Sequence, residues 1–108
     1  MDIKQLFEKQ IEFQKLLGFE PPIDDPELFA HHLLGLITEV GEIAQADKRW
    51  KKNGRNKFYS RKGKLEEIAD AFIFLMNICL YSDIDSEEFV KAVENKLQIN
   101  SSRYKEGK

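Results

Sequence analysis

A single cysteine, Cys79, is all the chain offers for sulfur chemistry, which rules out an intrachain disulfide framework and fits a reducing compartment. Long apolar runs are missing: the longest, Ala71 to Met76, is far short of the roughly 20 residues of a membrane-spanning helix. The opening MDIKQLFEKQ has no apolar signal core, so the expectation is a cytoplasmic protein with no membrane segment. An excess of positive charge is also missing. The net charge is −2, and no global basic field advertises a nucleic-acid polymer as partner. Basic residues are concentrated, however, with nine of the seventeen Lys and Arg between Lys48 and Lys64. Strand-like alternation, internal repeats and low-complexity segments are absent. What is present, 42% apolar and 33% charged residues over 108 positions, describes one globular domain spanning 1–108.

Four helical segments account for most of it, and the expected class is all-α, a four-helix bundle-like domain. The first helix runs from about Asp2 to Leu17, with Ile3, Leu6, Phe7, Phe13, Leu16 and Leu17 on a helical period, and Gly18 ends it. FEPPIDDP follows as a loop, its prolines biasing the preceding residues away from helix. Asp25 before Pro26 is a start signal for the second helix, which the pattern carries to about Lys52 and stops at Asn53-Gly54. A basic loop leads to a third helix from about Lys64 to Tyr81. Asp85 with Glu88 reads as a capping box for a fourth helix, reaching about Asn100 before a fraying tail.

The third helix is unusually apolar. Ile68, Ala69, Phe72, Ile73, Leu75, Met76, Cys79 and Leu80 cover one broad face, and Ala71 and Ile78 part of the other. A helix of that kind is covered on more than one side, and a chain this short has few elements to do it. The expectation is a homo-oligomer, a dimer or a dimer of dimers. Only a narrow stripe stays polar: Glu67, Asp70, Asn77 and Tyr81, with Phe74 among them. The second helix has its core stripe at Leu33, Leu36, Ile37, Val40, Ile43 and Ala44, with Glu39 and Glu42 to one side and His32, Gly35, Ala46 and Trp50 nearby.

Two acids three apart on a helix are usually solvated surface. Two such pairs on consecutive helices are harder to explain that way, because antiparallel packing would make four carboxylates converge. Unneutralised, they would repel one another and lose hydration. A hard divalent cation with oxygen ligands removes that cost. A ferritin-like di-iron or di-manganese site would want Glu-x-x-His pairs, and neither His31 nor His32 stands at that spacing from these acids.

Glu39-x-x-Glu42, a gap of 24 residues, then Glu67-x-x-Asp70 resembles the signature of the all-α nucleoside triphosphate pyrophosphohydrolases, the MazG-like proteins and their relatives, the dimeric dUTPases and dCTP pyrophosphatases. LEEIADAFIFLMNIC is similar to the second acidic motif of that family, and Lys96, Asn100 and Arg103-Tyr104 to the ending of MazG-like domains. The likeness covers roughly residues 28 to 104. It implies Mg²⁺-dependent hydrolysis of a nucleoside triphosphate to monophosphate and pyrophosphate, as nucleotide-pool housecleaning, with Mn²⁺ able to substitute. Glu39, Glu42, Glu67 and Asp70 would then hold the metal, Glu39 and Glu42 doubling as catalytic acids and Glu42 preferred as general base. Lys96, Asn100 and Arg103 would meet phosphate, with Lys52 and Lys64 as further cations. Trp50 and Phe74 are the candidates to stack on a base and Asn77 to hydrogen-bond it, with His32 at the edge of the pocket. The alternative is a non-catalytic helical module that binds a structural metal or a protein partner.

Overall fold

The computed structural model describes residues 1–50 and 60–105, without the side chain of Trp50. Among the described residues it is all-α: α1 (Ile3–Leu16), α2 (Pro26–Ala46), a 3₁₀ turn (Lys48–Trp50), α3 (Arg61–Leu80) and α4 (Ser86–Lys105). Most helix ends follow from local chemistry. Asp2 and Gln5 close a capping box on α1, and Gly18, at φ 96°, ends it with Phe19 N–H donating to the Gln14 carbonyl at 2.9 Å. Asp25 accepts from the Glu27 and Leu28 amides, both at 3.1 Å, ahead of Pro26. The capping box expected at Asp85 and Glu88 forms, the Glu88 amide donating to Asp85 at 2.9 Å.

Three boundaries differ from the sequence reading. α2 stops at Ala46 rather than near Lys52, because Asp47 adopts an extended backbone and its carboxylate captures the Arg49 amide at 3.2 Å. The stop expected at Asn53-Gly54 lies outside the described residues. α3 begins a turn early, at Arg61, where Ser60 Oγ accepts from the Gly63 amide at 3.0 Å. α4 continues to Lys105, so the segment expected to fray after Asn100 is helical as far as that residue.

The most extensive contact is between α2 and α3, which form an antiparallel hairpin; α1 packs on α3, and α4 packs on α1. Phe7, Met76, Cys79 and Leu80 form the buried core, with Ile3, Leu6, Ile11, Phe72 and Phe89 against them. The core therefore sits at the C-terminal end of α3, where α1 crosses it. On α1 the period of the inward face is Phe7, Gln10 and Gln14, and Phe13, Leu16 and Leu17, read on the apolar helical period, are exposed. No residue of α2 is buried. Leu33, Ile37 and Val40 of its expected core stripe are exposed, as are Leu65, Ile68 and Ile73 on α3. Among the described residues, α4 makes its main contact with α1 rather than with the α2–α3 hairpin. The radius of gyration, 16.9 Å, matches that open arrangement, since a compact domain of this size has about 13 Å.

Candidate functional site

The hairpin register brings the polar positions together. Steps forward along α2 match steps backward along α3, so His32 meets Asn77, Gly35 meets Phe74, Glu39 meets Glu67 and Asp70, and Asp47 meets Lys64. Gly35 permits the close approach. A Cβ added there would stand 2.8 Å from two carbons of the Phe74 ring, inside any real carbon contact.

One carboxylate oxygen each from Glu39, Glu67 and Asp70 lie within 4.8 Å of one another. Glu39 and Glu67 are half-buried and Asp70 is exposed. Glu39 Oε2 is buried and, among the described residues, has no hydrogen-bond partner. The Glu67 carboxyl is pushed above the ordinary carboxylate range, first by hydrogen bonding to Glu39, then by burial and by the negative charges of Glu39, Asp70 and Glu66. These two observations are one fact in two protonation states. Ionised, both groups only accept, and Oε2 is orphaned; with one proton between them, they bond. A hard cation satisfies the same need without the proton, and an all-oxygen donor set of this kind fits Mg²⁺ or Mn²⁺. Glu42, one turn further along α2, is exposed and lies outside the group of three.

Beside the carboxylates runs a directional chain of hydrogen bonds. Gln10 Nε2 and Gln14 Nε2 both donate to Asn77 Oδ1, at 2.7 and 3.3 Å. Two donors on one oxygen fix the Asn77 amide, so its nitrogen faces His32 Nδ1 at 3.3 Å. Nδ1 must then accept, which requires a neutral ring. Burial, followed by the charge of His31, lowers the His32 pKa and favours that form. The Tyr81 hydroxyl donates to Gln14 Oε1 at 3.2 Å, and its ring lies 4.7 Å from that of His32. Phe74 flanks His32 on another side, 5.8 Å between ring centroids. Asn77 and His32, two of the residues read as candidates for contact with the base, thus stand together. Gln10 and Gln14 were missed, although their signal was legible: two amides four residues apart, continuing the helical period of Ile3 and Phe7.

Lys96, Asn100 and Arg103 are exposed on the second half of α4, whose chief packing partner is α1. The Trp50 side chain and Lys52 lie outside the described residues.

No helix among the described residues is long and apolar enough to cross a membrane. No curated protein matches the chain in sequence. A family model described as dUTPase does match, over residues 2–106, nearly the whole of an all-α chain whose helix pair presents grouped carboxylates, and the chain belongs to that family.

Proposed function

We propose that this protein is an Mg²⁺-dependent pyrophosphohydrolase of the MazG-like and dUTPase-related kind, cleaving the α–β anhydride of a deoxynucleoside or non-standard nucleoside triphosphate to monophosphate and pyrophosphate. The observation that carries it is the grouping of the Glu39, Glu67 and Asp70 carboxylates within 4.8 Å, with a buried Glu39 oxygen that has no hydrogen-bond partner among the described residues. Family membership supports hydrolysis of a nucleoside triphosphate in general; the metal and the bond cleaved are the further step.

On this reading Glu39, Glu67 and Asp70 hold Mg²⁺, with Mn²⁺ as substitute, and Glu42 completes the acidic set from the adjacent turn. When bound, the cation supplies Lewis acidity at phosphate oxygens and a more acidic water. Glu42, exposed and outside the tight group, is the acid left to take the proton of the attacking water. His32 and Asn77, fixed by Gln10, Gln14 and Tyr81, offer an oriented amide and a neutral imidazole to a base, and Trp50 is assigned to the same task. Lys96, Asn100 and Arg103 are assigned to the phosphates.

The assembly is a homodimer or homotetramer in the cytoplasm. Leu33, Ile37 and Val40 on α2 and Leu65, Ile68 and Ile73 on α3 are exposed on one hairpin, and each such side chain buried contributes about 1.5–3 kcal/mol. A second copy covering this face would also give the free half of α4 a surface to meet.

The test is incubation with Mg²⁺ and a panel of ribo- and deoxynucleoside triphosphates, with the products resolved. Monophosphate plus pyrophosphate, lost in Glu39→Gln and Asp70→Asn while the fold is kept, supports the reading. Diphosphate plus orthophosphate rejects it. Metal binding with no turnover across the panel would leave a non-catalytic metal-binding module.

A further inference from the structure

The hydrogen bonds that end on His32 run in one direction. The Tyr81 hydroxyl donates to Gln14 Oε1 at 3.2 Å, and burial, then the charge of Asp25, raises the Tyr81 pKa and keeps that proton in place. With its oxygen so engaged, Gln14 turns its amide nitrogen to Asn77 Oδ1, where Gln10 Nε2 also donates. Asn77 is left to donate from its own nitrogen to His32 Nδ1. Gln10, Gln14 and Asn77 are only 9%, 2% and 4% exposed, so no one of these amides can turn alone. Doing so would set N–H against N–H, or oxygen against oxygen, away from water.

The consequence falls on the far side of the ring. A neutral imidazole that accepts at Nδ1 carries its proton on Nε2. The two ring nitrogens point in diverging directions, so Nε2–H is aimed away from the buried Asn77. Tyr81 and Phe74 flank the ring, with centroids at 4.7 and 5.8 Å. His32 is half-buried, and among the described residues Asn77 is the hydrogen-bond partner of its ring, which leaves Nε2–H available.

We infer that Gln10 and Gln14 are positioning residues: through Asn77 they fix His32 as the Nε2–H tautomer, so that it meets a base as a donor and favours a carbonyl oxygen over an exocyclic amino group. This rests on the reading that the protein takes a nucleotide and that His32 stands at the edge of the base pocket. A carbonyl there completes the hydrogen bond. An amino group opposes one N–H to another, and leaves the histidine proton unpaired.

The first measurement needs neither metal nor turnover. Nitrogen-15 NMR of the metal-free full chain, in a His31→Gln background that leaves His32 as the one histidine, shows which ring nitrogen is protonated. The Nε2–H pattern is expected, and the Nδ1–H pattern overturns the inference, because the amides would then run the other way. Gln10→Met with Gln14→Met should turn that pattern into an average of both tautomers while circular dichroism still reports the helices. Gln10→Met alone should move it the same way by less, and stands in if the double variant unfolds. An unchanged Nε2–H pattern in a folded variant overturns the positioning role.

The second measurement adds nucleoside monophosphates in EDTA, in pairs that exchange a carbonyl for an amino group: dUMP against dCMP, and dGMP against dAMP. The keto member of a pair should move the His32 Nε2–H resonance and bind about ten-fold more tightly, the scale of one hydrogen bond. The preference should fall toward parity in the glutamine variants. Equal affinities within both pairs, or preference for the amino member, overturn the selection while the nucleotide reading stands. Binding of none of the four overturns the base contact and counts against the nucleotide reading, whatever tautomer His32 holds.

Discussion

The carboxylates of Glu39 on α2 and Glu67 on α3 face each other across the helix hairpin, and Glu39 is the strongest influence on the proton affinity of Glu67. That relationship sets stability against function. Glu39→Gln removes one charge and lets an amide donate to Glu67, which should stabilise the metal-free protein by about 1 kcal/mol. For a domain this small, that raises the melting temperature by roughly 4–8 °C. The same variant should lose divalent-cation binding. A melt in EDTA and a Mn²⁺ titration decide it; a lower melting temperature would contradict the repulsion.

The pH dependence follows from the same contact. The folded-state pKa of Glu67 lies above its ordinary 4.5, so the folded state binds the proton more tightly than the unfolded chain does. Stability from this group is therefore present below 4.5 and is lost as pH rises through the folded value. Cation affinity should climb over the same window and level off above it, as protons cease to compete. Glu67→Gln should flatten the difference in metal-free melts across that range. His32 acts in the opposite direction: its pKa lies below 6.5, so its contribution falls as pH drops beneath that value.

Asn77 holds the buried network together. Asn77→Ala leaves the Gln10 and Gln14 amides without their acceptor, and should cost about 2–4 kcal/mol in urea denaturation. A loss below about 1 kcal/mol would mean that the glutamines find other partners. Asn77→Asp instead places a carboxylate against His32 Nδ1, and the His32 pKa followed by NMR should rise from below to above 6.5.

Gly35 is a close-approach position. Gly35→Ala drives a methyl into the Phe74 ring and should destabilise by about 1–3 kcal/mol. Because the obstacle is one side chain, Phe74→Leu in that background should restore at least half of the loss. Independent, additive effects in denaturant melts would place the strain elsewhere.

Self-association can be read from Ile37, 61% exposed on α2. Ile37→Glu should change the stability of an isolated chain by no more than about 0.5 kcal/mol. If the hairpin face is covered by a second copy, the same change should shift the protein to monomer in light scattering. A variant with unchanged mass would separate that face from the assembly.

Much was written in the sequence because it depends on neighbours in the chain. Asp25-Pro26, Gly18 and the Asp85–Glu88 pair mark helix ends through bonds that close within a few residues. The all-α class and the acid pairs at a spacing of three were legible for the same reason. Even locally the reading had a limit: Asp47, inside a helical pattern, took the Arg49 amide for itself and ended α2 early.

Which acids converge could not be read from spacing alone. Glu39 and Glu42 are equivalent in sequence, but the tertiary register turns one toward α3 and leaves the other in solvent. The same is true of Gln10 and Gln14, whose amides became interior because α1 crosses the end of α3 where Asn77 can accept from both. The sequence determined the helices, their caps and the chemistry available on each, since those are set by local bonds. Only the tertiary structure decided which side chains share a site and which apolar face is left for another surface, because both depend on contacts between segments far apart in the chain.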